Sequence, residues 1–142
     1  MTATTLQTQK RPAVRTMGFW LATPMAALQA LNAVRALADP VGFATYFGAP
    51  IGGADMLAWV QVYGLRTAFI AAVVTVLLLR RDLQALMWTA IVALVLPLGD
   101  AWLTHQSGAD PSIVARHLAI AAYLAVTSGA LFIANRSAGR TS

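Results

Sequence analysis

The sequence predicts an all-α membrane protein: a transmembrane four-helix bundle with both termini cytoplasmic. Three observations lead there. Of the 142 residues, 58% are hydrophobic and only 11% charged, whereas soluble domains carry roughly 45–50% apolar and about 25% charged residues. Four segments are long and apolar enough to cross a bilayer, which takes about 20 residues as a helix. The basic residues beside those segments all fall on one side if each segment crosses once.

The first span runs from about Gly18 to Ala38 and the second from Leu57 to Leu79, containing "AFIAAVVTVLLL". The third runs from Leu83 to Thr104 and the fourth from Ile113 to Asn135. Lys10, Arg11 and Arg15 precede the first span, Arg80 and Arg81 separate the second and third, and Arg136 and Arg140 follow the fourth. The other two loops carry Asp39, Asp55 and Asp110 and no Lys or Arg. Basic residues beside spans stay in the cytoplasm, so this arrangement fits four crossings in a plasma membrane of bacterial type. The domain limits follow: a disordered cytoplasmic tail over 1–17, a membrane domain over 18–135 and a short cytoplasmic tail over 136–142. "RPAVR", an apolar stretch and "ALA" at 36–38 have the outline of a secretory signal peptide. The apolar stretch is too long for one, and Asn32 and Arg35 crowd the cleavage site.

The formal charge of +5 arises from ten Lys and Arg against five Asp, with no Glu. Because the basic residues flank apolar segments, they speak for membrane orientation and against nucleic acid as a partner; the lipid bilayer is the expected one. With no Cys, disulfides, thiolate catalysis and Cys-ligated metals are excluded. Two His and an Asp lack the spacing of a helical metal site, so no metal is expected. Haem through the two His is weakly supported, and no cofactor is implied.

The loop "DPVGFATYFGAPIGGAD" over 39–55 is rich in Gly and Pro and groups Phe43, Tyr46 and Phe47. It reads as an interfacial anchor or as a lid over an outward pocket. Ala22, Ala26 and Ala30, and Ala121, Ala125 and Gly129, recur every four residues and so form small-residue ridges. In lipid such ridges let helices approach closely. They suit a tight bundle and equally a homo-oligomer contact.

Polar residues gather in the outer half of every span. Asp100 lies roughly 6–8 Å below the boundary and Arg66 roughly 13 Å, from the helical rise, so the two are expected to pair. Asn32 and Arg35 share a face at the end of the first span, Tyr63 lies one turn from Arg66, and His117 begins the fourth span. The inner half, "AAVVTVLLL" and "MWTAIVALV", is nearly all apolar. Ionisable groups within spans face the bundle interior or a watery cavity. Asn32, Arg35, Tyr63, Arg66, Asp100 and His117 are therefore the candidate ligand-binding residues, for a small amphipathic or lipophilic molecule. Asp100 and His117 are the candidate catalytic pair, for isomerisation, cyclisation or epoxide opening on a lipophilic substrate. A purely structural Arg66–Asp100 salt bridge is the third reading. A transporter would continue its polar residues across the membrane, and the apolar inner half argues against one. Pro97 frees a carbonyl one turn earlier and is expected to kink the third span. Trp20, Trp59, Trp88 and Trp102 lie near span ends, where an aromatic belt forms. His105 is interfacial.

"VYGLRTAF" followed by "LVLPLGDAWLTHQSGADPSIVARH" resembles a family of small four-span membrane proteins from bacteria and fungi, domain of unknown function 4267. Its pattern is matched here by Gly64, Arg66, Pro97, Gly99, Asp100, Gly108 and His117. "ADPVGFATYFGAP" is similar to the family's first loop, and the resemblance covers about residues 20–135. It implies the fold and no established activity. Many relatives place an Asp directly after the Arg, where this chain has Thr67. That weakens any role requiring two carboxylates.

Overall fold

In a computed structural model, residues 16–139 are described, apart from the side chains of 54, 55, 138 and 139. The expected tail over 1–17 therefore falls almost wholly outside the described residues, as does the end of the C-terminal tail. All described regular structure is helical. α1 covers Met17–Ala38, α2 Pro40–Phe47, α3 Ala54–Arg80, α4 Leu83–Ala93, α5 Val95–Gln106 and α6 Pro111–Gly139. The four expected spans correspond to α1, α3, the α4–α5 pair and α6.

Local chemistry sets the boundaries. Thr16 caps α1 by accepting from the Phe19 N–H. Asp39 closes α1 through its own N–H and opens α2 by accepting from the Gly42 N–H at 3.0 Å. Pro40 fits the first turn of α2, where no N–H is needed. Gly48 ends α2 at φ +97°, a left-handed position suited to glycine. At the opposite end of the bundle, Arg81 takes φ 55° and the Asp82 carboxylate caps α4 through the Ala85 N–H at 2.9 Å. Asp110 accepts from the Ser112 N–H at 2.8 Å at the start of α6. Its bonds with the Ser112 hydroxyl and N–H hold that exposed carboxyl below the usual carboxylate range. This cap is thus complete at neutral pH and lost as pH falls through the lowered value.

The third span breaks as expected. α4 stops at Ala93 and α5 restarts at Val95. The missing Pro97 N–H leaves the Ala93 carbonyl without its usual helical donor. The Leu94 N–H turns instead to the Ile91 carbonyl at 3.3 Å.

Packing runs α3–α1–α6–α4/α5, with α3 touching α4 near their shared turn and hardly touching α5. Small residues make the tightest seams. An added Cβ on Gly18 would lie 2.9 Å from the Leu131 backbone nitrogen, and one on Gly64 would lie 3.1 Å from the Ala36 Cβ. α1 therefore meets α6 near one end of the bundle and α3 near the other. At 1.5 Å per residue its 22 residues cover about 33 Å, a full bilayer core. Helices α3, α4–α5 and α6 are each long and apolar enough to cross a membrane. α1 matches them in reach, although Gln29, Asn32 and Arg35 dilute its apolar character.

The distribution of large and small side chains is the reverse of a soluble domain. Leu65, Phe69, Leu79, Val92, Val95, Val126 and Ile133 project outward, as do all four Trp. The interior holds Ala22, Ala26, Ala33, Ala36, Ala71 and Ala121 with Thr67, Thr104, Thr127 and Ser128. The hydroxyls of Thr67, Thr104, Thr127 and Ser128 each donate to the carbonyl one turn back on their own helix, so their burial leaves no donor unmet. Across helices, the Tyr123 hydroxyl donates to the Leu21 carbonyl beside Pro24, and Asn135 donates to the Leu83 carbonyl. The α6 ridge differs from expectation. Ala121 is buried, but Ala125 and Gly129 face outward; the packed stripe is Ala121, Leu124, Thr127, Ser128 and Leu131.

Gly18→Val should lower the thermal midpoint in detergent by the equivalent of about 1–3 kcal/mol of overpacking. Gly129→Ala, which meets nothing within 4 Å, should leave it unchanged or slightly raised. Differential scanning fluorimetry of the two purified variants checks both.

Candidate functional site

A cavity of about 270 Å³ lies at the α2 end of the bundle. Every helix except α4 contributes to it. From α1 come Gln29 and Asn32, from α3 Tyr63, Arg66 and Thr67, from α5 Pro97 and Asp100, and from α6 Arg116 and His117. Five of the six expected ligand-binding residues thus share one wall: Asn32, Tyr63, Arg66, Asp100 and His117. Arg35 does not line it and instead lies over the Tyr46 ring, 5.6 Å from its centroid. His105 is exposed beyond the cavity, near the end of α5.

Helix α2 closes the cavity. The Phe43, Phe47 and Tyr63 rings are mutually packed at 5.5–5.9 Å, and His117 meets the Phe47 ring edge-on at 4.8 Å. His117 is buried, at 5% exposure, and its Nε2 lies 3.2 Å from the Phe47 carbonyl. A carbonyl only accepts, so Nε2 carries the proton. Nδ1 is then the ring nitrogen available for an incoming proton or donor.

Arg116, next to His117 on α6, also lines the cavity. Its guanidinium donates to the Tyr46 carbonyl and stacks on the Tyr46 ring, 3.8 Å from the centroid. One side chain thereby holds both the backbone and the ring of α2 to α6. Because Tyr46 and Arg116 are 70 residues apart, only three-dimensional placement reveals the pair.

The expected Arg66–Asp100 salt bridge is absent: among the described residues no ion pair joins them, although both line the cavity. Arg66 is exposed and Asp100 half-buried, with α3 and α5 hardly packed together. Neither side chain has a hydrogen-bonding partner among the described residues. Since no buried side-chain oxygen or nitrogen there is left unpaired, the Asp100 oxygens are accessible from the cavity. Thr67 spends its hydroxyl on the Tyr63 carbonyl at 2.9 Å. Asp100 is therefore the one carboxylate in the lining.

Toward the Arg80–Arg81 end the cavity continues into an apolar annex of about 70 Å³. Met25, Gln29, Ile70, Leu96, Pro97 and Ile120 line both spaces. Val74, Leu86 and Leu124 enclose the annex below them. No three His, Asp or Glu side chains gather as a metal site among the described residues.

Spanning-length helices, outward apolar side chains and an interior of small residues define a helical integral membrane bundle. The chain belongs to the family described as domain of unknown function DUF4267, whose model matches residues 26–131. That match includes every cavity residue named above except Met25. No curated protein and no solved structure matches the chain.

Removing Arg116 should free α2. A cation–π contact contributes about 0.5–2 kcal/mol and a hydrogen bond from a charged donor about 1.5–3 kcal/mol. Arg116→Met should therefore speed amide exchange across 40–47 by tenfold or more, with α3 and α6 unaffected, as read by hydrogen–deuterium exchange mass spectrometry.

Proposed function

We propose that this protein binds a small amphipathic molecule in the cavity beneath α2. One observation carries the reading: Arg66 and Asp100, opposite charges on neighbouring helices, face one cavity without pairing. Unpaired charges within an apolar bundle are costly, and polar contacts between membrane helices return only about 0.6 kcal/mol on average. A bound polar group that satisfies either charge accounts for the arrangement better than structural stability does. The apolar annex supplies room for the lipophilic part of such a molecule.

Mass spectrometry of the gently purified protein tests this. Wild type should retain a specific small molecule that Asp100→Asn and Arg66→Ala lose while remaining folded. Retention of bulk lipid alone by wild type would overturn the proposal.

The orientation belongs to the same reading. Both termini and the Arg80–Arg81 turn lie in the cytoplasm, and the α2 end faces outward. The chain has no native Cys, so single introduced cysteines report directly. In intact cells Gly52→Cys should react with an impermeant maleimide and Gln84→Cys should not; the reverse pattern would invert the topology.

A second reading rests on His117. With Nε2 held by the Phe47 carbonyl, Nδ1 can accept a proton while Asp100 faces the same cavity, a set suited to acid–base chemistry on a bound lipophilic substrate. If so, Asp100→Asn should abolish turnover of the retained molecule without displacing it.

A further inference from the structure

We propose that the occupant is a zwitterionic lipid of the surrounding bilayer, which enters sideways between α3 and α5. This rests on the binding reading above and adds the chemistry and the route.

The charges decide the head group. Arg116 is already engaged with Tyr46, so Arg66 is the cation open to a guest and Asp100 the anion. A purely anionic guest would satisfy Arg66 but set a second negative charge before Asp100. A purely cationic guest would fail at Arg66 in the same way. A head carrying a phosphate and an ammonium group meets both at once. The exposed Arg66 takes the phosphate at the rim, and the half-buried Asp100 takes the ammonium within.

The packing decides the route. α3 and α5 both line the cavity yet hardly touch each other, which leaves a seam between them on the side of the bundle that faces the bilayer. Ile70 and Leu96 stand on opposite sides of that seam and line both the polar cavity and the annex. A lipid sliding in there places its head between Arg66 and Asp100. One hydrocarbon chain descends toward Val74, Leu86 and Leu124. Leu96 at the seam and Phe69 beside Ile70 are apolar and exposed and present no polar barrier to that passage.

Delipidated protein in detergent is offered equimolar phosphatidylethanolamine and phosphatidylglycerol with identical acyl chains, and adducts are read by native mass spectrometry. Wild type should keep a single phosphatidylethanolamine with a preference of roughly tenfold, the scale of one charged hydrogen bond. Asp100→Asn should bring the ratio to unity, Asp100→Glu should restore it, and Arg66→Ala should weaken both lipids alike. Equal retention by wild type, or a preference that survives Asp100→Asn, overturns the zwitterion assignment; a different retained molecule would then still support the cavity.

The route is read in wild type, free of folding effects. A phosphatidylethanolamine with a photoactivatable group midway along one chain should label Val74, Leu86 or Leu124. Labelling restricted to outward residues such as Phe69, Val92 and Val126 overturns lateral entry.

Discussion

The absent amide hydrogen of Pro97 shapes the upper half of this bundle. Without it the third span cannot run straight, and it divides into α4 and α5 around Leu94. The lower piece stays against α6 and near α3, while the upper piece keeps only α6 as a close neighbour. The space so opened is where Asp100, three residues beyond the proline, meets Arg66 and His117 across a cavity.

Against that break stands the rigid side of the molecule. α1 and α3 approach closely where Gly64 meets Ala36, and α1 meets α6 where Gly18 meets Leu131. Lipid cannot drive such contacts by hydrophobicity, so close van der Waals packing between small residues does it. Asn32 and Tyr63 ride on this tight seam, and Asp100 rides on the loose one. One side of the cavity is therefore closed by tight packing and the other by a seam with few contacts.

Much of this was legible in the sequence, for reasons that separate cleanly. Hydropathy reports depth, so the spans and the common level of Asn32, Tyr63, Arg66, Asp100 and His117 could be read directly. Hydropathy does not report azimuth. Arg66 and Asp100 shared a depth but not a contact, and Ala125 and Gly129 shared a ridge that faces away from the bundle. Helix α2 escaped because eight residues are too few for a periodic signal, though its caps were written out: Asp39, then Pro40, then Gly48. Arg116 escaped because its partner is a ring and a carbonyl on a loop helix 70 positions earlier, a relation no local pattern encodes.

The turn at Arg81 and Asp82 has a bearing on assembly. Two residues join α3 to α4, one of them in a left-handed conformation and the other capping the next helix. The entropy of closing so short a loop is small beside that of the longer α2-bearing connection. The turn therefore holds α3 and α4 together at that end of the hairpin, while beyond it α3 hardly touches α5 and the hairpin depends on its neighbours for packing. α1 and α6, each tied to that hairpin through a longer connection, then close on it from either side, and the cavity comes into being only when the last of them docks.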